Sequence, residues 1–99
     1  MKSGKYLAEF LGTFALTFVG AGAIIATSGE NLLVIALAHG IILAVMVAAM
    51  MHVSGAQFNP AVSIALATRG KQSWSQAIIF SVFQILGGIA AAFLLKATM

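Results

Sequence analysis

Three apolar runs, residues 6–27, 32–53 and 76–95, each hold about the twenty residues that a helix needs to cross a bilayer. In lipid every backbone amide must find its partner within the segment, so runs of this length predict helices. Charged residues make up only 7% of the chain and hydrophobic ones 62%, where a soluble domain carries about 25% charged residues. That balance cannot cover a water-facing surface. The expected product is an all-α integral membrane protein, one unit over residues 1–99, held in a lipid bilayer. The first run follows Lys2 and Lys5 in the manner of a cleaved leader. It is longer than a leader's apolar core and carries Glu9, so a retained span is the better reading.

The few charges carry information about orientation. Lys2 and Lys5 precede the first run, and Arg69 and Lys71 lie between the second and third, whereas Lys96 alone follows the last. Basic residues stay on the cytoplasmic side. The N-terminus and residues 54–75 are therefore expected there, with the C-terminus opposite. A net charge of +3 from five basic and two acidic side chains offers no nucleic-acid surface. The chain has no cysteine, hence no disulfide or thiolate site.

Polar groups at membrane depth are costly and call for a reason. Glu9, Thr13, Thr17 and Gly20 recur on one stripe of the first run. Ala36, Gly40, Ala44 and Ala48 make a small-residue stripe in the second, of the kind that lets helices approach closely in lipid, with His39 beside it. In the third, Ser81, Gln84, Gly88 and Ala92 are expected to share a face. No nucleophile has an evident base, and His39 and His52 lack ligand spacing with other donors. Met46, Met50 and Met51 read as packing. Neither an enzyme nor a metal or cofactor site is expected.

The single proline lies in "SGAQFNPAVSIAL", residues 54–66. Ser54, Gly55 and Ala56 are small enough for a tight turn out of the second run. Asn59 is a favoured helix cap, and Pro60 fits the first helical position, where its missing N–H costs nothing. The spacing predicts a short helix over residues 60–68, roughly 13 Å long and half the hydrocarbon depth, ended by Arg69 and Gly70. A cytoplasmic loop with a turn of helix is the plainer alternative, but Ala61-Val62-Ser63-Ile64-Ala65-Leu66-Ala67 is too apolar for water. A re-entrant half-helix is favoured. Its positive N-terminal end would then sit at mid-membrane, with the Asn59 amide hydrogens free for a small neutral solute.

With "AEFLGTFALTFVGAG" in the first run and "FQILGGIAAAFLL" in the third, this segment completes an ordered set that resembles the N-terminal half of the aquaporin–glycerol facilitator (major intrinsic protein) family. The resemblance implies one three-span repeat of an aquaporin-like fold. It implies that Asn59, Pro60 and Ala61 are the pore signature, Asn59 being the donor that orients water. Glu9, Ser54, Gly55, Gln57 and Gln84 become supports of the signature loop, and Gly40, Gly87 and Gly88 become packing positions. His39 falls at a position of the family's narrow filter. Gln57 stands where histidine is usual and Ser63 where threonine is commoner. Family pores need two inverted repeats, so the resemblance implies a passive channel half for water or small neutral solutes. A second, antiparallel copy or a complementary C-terminal half would complete it. Two alternatives stand beside this reading: a nonconducting structural remnant, and a small proton-coupled multidrug exporter built on Glu9. The exporters have four spans and no Asn-Pro-Ala loop.

Overall fold

The computed structural model describes residues 2–98, with the side chains of Lys2 and Ser3 outside the description. Four helices follow one another: α1 (Lys2–Ala26), α2 (Leu32–Ser54), α3 (Pro60–Thr68) and α4 (Trp74–Thr98). Three of them are long and apolar enough to span a membrane, and α3 is the expected half-length helix. The chain is an all-α, multi-pass membrane protein.

α1 begins before and α4 runs past the apolar runs that announced them. Hydropathy marks the greasy stretch, whereas the helical ladder continues to a local stop. At the start of α4 that stop is Ser73, whose Oγ accepts from the Gln76 amide at 3.1 Å. Between α1 and α2 the chain reverses through left-handed Ser28 and Gly29, and Asn31 caps α2 by accepting from the Val34 amide at 3.1 Å.

α1 is the central helix, packing on α4 along one side and on α2 along another, while α3 packs on α4. The buried stripe of α4 is Ala77, Phe80, Gln84, Gly87, Ala91 and Leu95, in steps of three or four. This corrects the expected face. Gln84 belongs to it, but Ala92 is exposed and Ser81, half-buried, bonds back to the Ala77 carbonyl at 2.8 Å. At Gly87 the α1 backbone comes so near that a Cβ would overlap the Phe10 carbonyl oxygen. Gly88 is in looser contact, with Thr17 Oγ1 at 3.6 Å from its would-be Cβ.

α2 differs from the others in burying no residue at all. Its small-residue stripe of Ala36, Gly40, Ala44 and Ala48 is exposed throughout. Gly40, expected to be a packing glycine, meets nothing within 4 Å of its would-be Cβ. Among the described helices α2 packs on α1 alone, and it leaves that stripe uncovered.

Candidate functional site

Residues 55–59 link α2 to α3 through irregular backbone, whose amides need acceptors from elsewhere. Glu9 provides them. It lies about two turns into α1 and is 0% exposed. Its Oε2 accepts from Ser54 Oγ at 2.6 Å and from the Gln57 amide at 3.1 Å. Its Oε1 accepts from the Phe58 amide at 2.8 Å and from Gln84 Nε2 at 2.7 Å. A carboxylate offers about four lone-pair sites, so each is used. Four neutral donors thus satisfy a fully buried acidic side chain.

The loop's course is strained as well as bonded. Gly55, Ala56 and Phe58 all have positive φ, at 88°, 50° and 53°, a conformation that costs a residue with a Cβ about 1–2 kcal/mol. At Phe58 packing offsets this cost. Its ring is buried on Gly12, where any Cβ would overlap it, and its carbonyl accepts from Thr13 Oγ1 at 3.3 Å. These contacts set the next residue, Asn59, level with the middle of α1.

Asn59 caps α3, its Oδ1 accepting from the Ala61 amide at 2.8 Å, and Pro60 occupies the first helical position. With the oxygen engaged, the Asn59 Nδ2 hydrogens remain as donors. Asn59 lines an open cleft of about 550 Å³, together with Thr13, Thr17, His39 and Gln57 among apolar neighbours. His39 Nδ1 lies 2.8 Å from the Ile35 carbonyl. A carbonyl only accepts, so Nδ1 carries the hydrogen and Nε2 the lone pair of the neutral ring. The ring rests on Gly20, which is buried beneath it.

A second set of bonds runs from this loop to the basic end of the molecule. Ser63 Oγ donates to Gln57 Oε1 at 2.6 Å and accepts from Gln84 Nε2 at 3.0 Å. Gln57 and Gln72 form a reciprocal amide pair, each Nε2 donating to the other's Oε1 at 3.0 Å. Gln72 Nε2 also donates to the Ser63 carbonyl at 2.8 Å, and its Oε1 accepts from Gln76 Nε2 at 2.8 Å. Lys5 Nζ donates to Gln76 Oε1 at 2.6 Å.

Of the residues singled out in the sequence, Glu9, Ser54, Gln57 and Gln84 meet in one bonded cluster beside Gly55. Asn59 and His39 face one cleft, and Gly40 stands apart. Sequence reasoning missed Lys5, Phe58, Gln72 and Gln76 and treated Ser63 only as a substitution. The available signal was the run of glutamines at 57, 72, 76 and 84 in a chain otherwise poor in polar side chains. The site can hold and orient a small molecule by hydrogen bonds.

The whole chain, residues 1–99, matches the family described as Major intrinsic protein. It is 44% identical to Aquaporin Z of Rhodopseudomonas palustris, an alignment covering 96% of this chain and 42% of that protein. It is 46% identical to the lens fiber major intrinsic protein of Lithobates pipiens, covering 86% of this chain and 33% of that one. With the glycerol uptake facilitator protein-like 6 of Lactiplantibacillus plantarum it shares 40% identity over 93% of this chain and 42% of the relative. The chain thus spans less than half the length of the curated relatives it matches. Its sequence over its full length, with four helices in the expected order, makes it a member of the major intrinsic protein family.

Proposed function

We propose that this chain forms one half of a passive channel for water or small neutral solutes. The observation that carries the reading is the Asn59 cap. Its oxygen is tied to α3, which leaves its amide hydrogens as donors, and Asn59 lines a cleft together with Thr13, Thr17 and His39. A solute there would be held by its acceptor atom, and the positive end of α3 would disfavour a cation. Asn59, Pro60 and Ala61 act as the pore signature, His39 as a filter residue, and Glu9, Ser54, Gly55, Gln57 and Gln84 as supports of the loop. The cleft is open on one side, and a second antiparallel copy or a complementary half closes it. In the orientation that the basic residues favour, the N-terminus and residues 54–75 face the cytoplasm, and an antiparallel copy carries them on the opposite side. The site performs no catalysis and takes no cofactor.

The exporter reading needs Glu9 to exchange protons with a substrate passage. Glu9 is fully buried, holds four donors and is not among the cleft's lining residues, which speaks against that role. Osmotic shrinkage of proteoliposomes containing the purified chain, beside Asn59→Asp and empty vesicles, tests the channel reading. Fast shrinkage that the variant loses is the expected result for a pore assembled from copies of this chain. If folded protein shrinks no faster than empty vesicles, the self-completed pore is ruled out. The chain would then conduct only with a complementary half or not at all.

A further inference from the structure

The bonds around Gln57 leave its carboxamide one thing to offer the cleft. Gln57 Oε1 receives two hydrogen bonds, from Ser63 Oγ and from Gln72 Nε2, which together occupy an amide oxygen's two lone pairs. One Nε2 hydrogen goes to Gln72 Oε1. The remaining Nε2 hydrogen has no partner among the described residues, and Gln57 lines the cleft.

This orientation is fixed from outside the loop. Amide oxygen and nitrogen are told apart by their partners, and the string of amides ends on groups that can play one role only. The Lys5 ammonium only donates, so the atom of Gln76 beside it is the oxygen. The Ser63 carbonyl only accepts, so the atom of Gln72 beside it is the nitrogen. With Gln72 so placed, its Oε1 faces the Gln57 nitrogen and its Nε2 the Gln57 oxygen. From the other end, Glu9 only accepts in this cluster. Gln84 Nε2 therefore donates to both Glu9 and Ser63 Oγ, which turns the Ser63 hydrogen toward Gln57 Oε1. Both directions converge on the same oxygen.

We propose that Gln72, on the link between α3 and α4, is a positioning residue that sets Gln57 as a second hydrogen-bond donor to the cleft, beside Asn59. Gln57 is then a specificity-determining residue that offers a donor and withholds an acceptor, favouring small solutes that accept hydrogen bonds over those that mainly donate. The inference rests on the channel reading for its consequence, but the orientation itself can be tested without any flux.

The test is nuclear magnetic resonance of the side-chain amides of the ¹³C,¹⁵N-labelled full chain in lipid nanodiscs, for the native protein, Gln72→Leu and Gln72→Glu. In the native protein the two Gln57 Nε2 hydrogens should differ in exchange with water, one protected and one open. Gln72→Leu should abolish the difference, raising exchange of the protected hydrogen about tenfold for the loss of its bond. Gln72→Glu keeps an acceptor for Gln57 Nε2 but no donor for Gln57 Oε1, so protection should persist while the carbonyl resonance of Gln57 shifts. Native Gln57 hydrogens that exchange alike, or that ignore Gln72→Leu, would overturn the proposal whether or not the chain conducts. Where vesicles carry flux, Gln72→Glu should lower the permeability ratio of acceptor-rich to donor-rich solutes relative to the native chain. An unchanged ratio alongside the expected resonances would refute the specificity role and leave the channel reading intact.

Discussion

Glu9 concentrates the energetic stakes of the loop in one side chain. Removing it leaves the Ser54 hydroxyl, two loop amides and the Gln84 amide without their acceptor, and each buried unpaired group costs about 1–3 kcal/mol. Glu9→Ala should therefore destabilise the protein by more than about 3 kcal/mol, read as a large drop in the thermal unfolding midpoint in detergent. Ala56 offers a change of opposite sign. Its φ of 50° is relaxed for glycine, whose extra freedom in the unfolded chain takes back part of the gain. Ala56→Gly should raise stability by about 0.5 kcal/mol, seen as a small upward shift of the same midpoint. The left-handed residues could not be read from the sequence, since neither Ala56 nor Phe58 is a residue type that favours this region. Phe58 is forced there because its ring fills the space that Gly12 leaves open and its amide is drawn to Glu9.

Among the elements, the α1–α4 crossing is the least forgiving. A methyl group at Gly87 would meet backbone, which cannot rotate aside as a side chain could. Gly87→Ala should cost about 1–3 kcal/mol and separate the two helices, checked by unfolding in detergent together with loss of the close Phe10–Gly87 approach in spin-label distances. Gly40→Ala, on the uncovered stripe of α2, should meet no clash and raise the stability of the isolated chain by about 0.5–1 kcal/mol. The span lengths and the half-helix were legible because an apolar run and an Asn-Pro cap are local signals. The packing faces were legible only in part. In α4 the buried stripe follows steps of three and four, and Gln84 satisfies either face. Which side an apolar helix turns inward is set by neighbours, and in a membrane span hydrophobicity does not distinguish a lipid-facing side from a buried one. The Gln57–Gln72 pair was hidden for a different reason. It joins residues of two separate loop segments, and no spacing rule relates them.

At the scale of the molecule, extents of 40 × 25 × 22 Å match a bilayer of about 30 Å hydrocarbon and 40–45 Å with headgroups. The start of α1, the link after α3 and the start of α4 meet at one end, tied together by Lys5, Gln72 and Gln76. Because the chain has no cysteine, single replacements give an uncluttered test of which way it lies. Lys71→Cys should be labelled by a membrane-impermeant thiol reagent only from the cytoplasmic side, and Glu30→Cys only from the opposite one. Labelling of each from both sides would reveal two orientations. The uncovered α2 carries a different lesson. Apart from Ser54 at its last residue, the groups that hold the loop and seat Asn59 belong to α1, α3, α4 and the links, whereas His39 comes from the helix that buries nothing. Of the residues that line the cleft, α2 supplies only His39 and Leu43, whereas α1 and the loop supply most of the rest and also hold the fold. A change at either α2 position can alter the cleft without disturbing the bonds behind Asn59, but a change at Thr13 or Phe58 alters both at once.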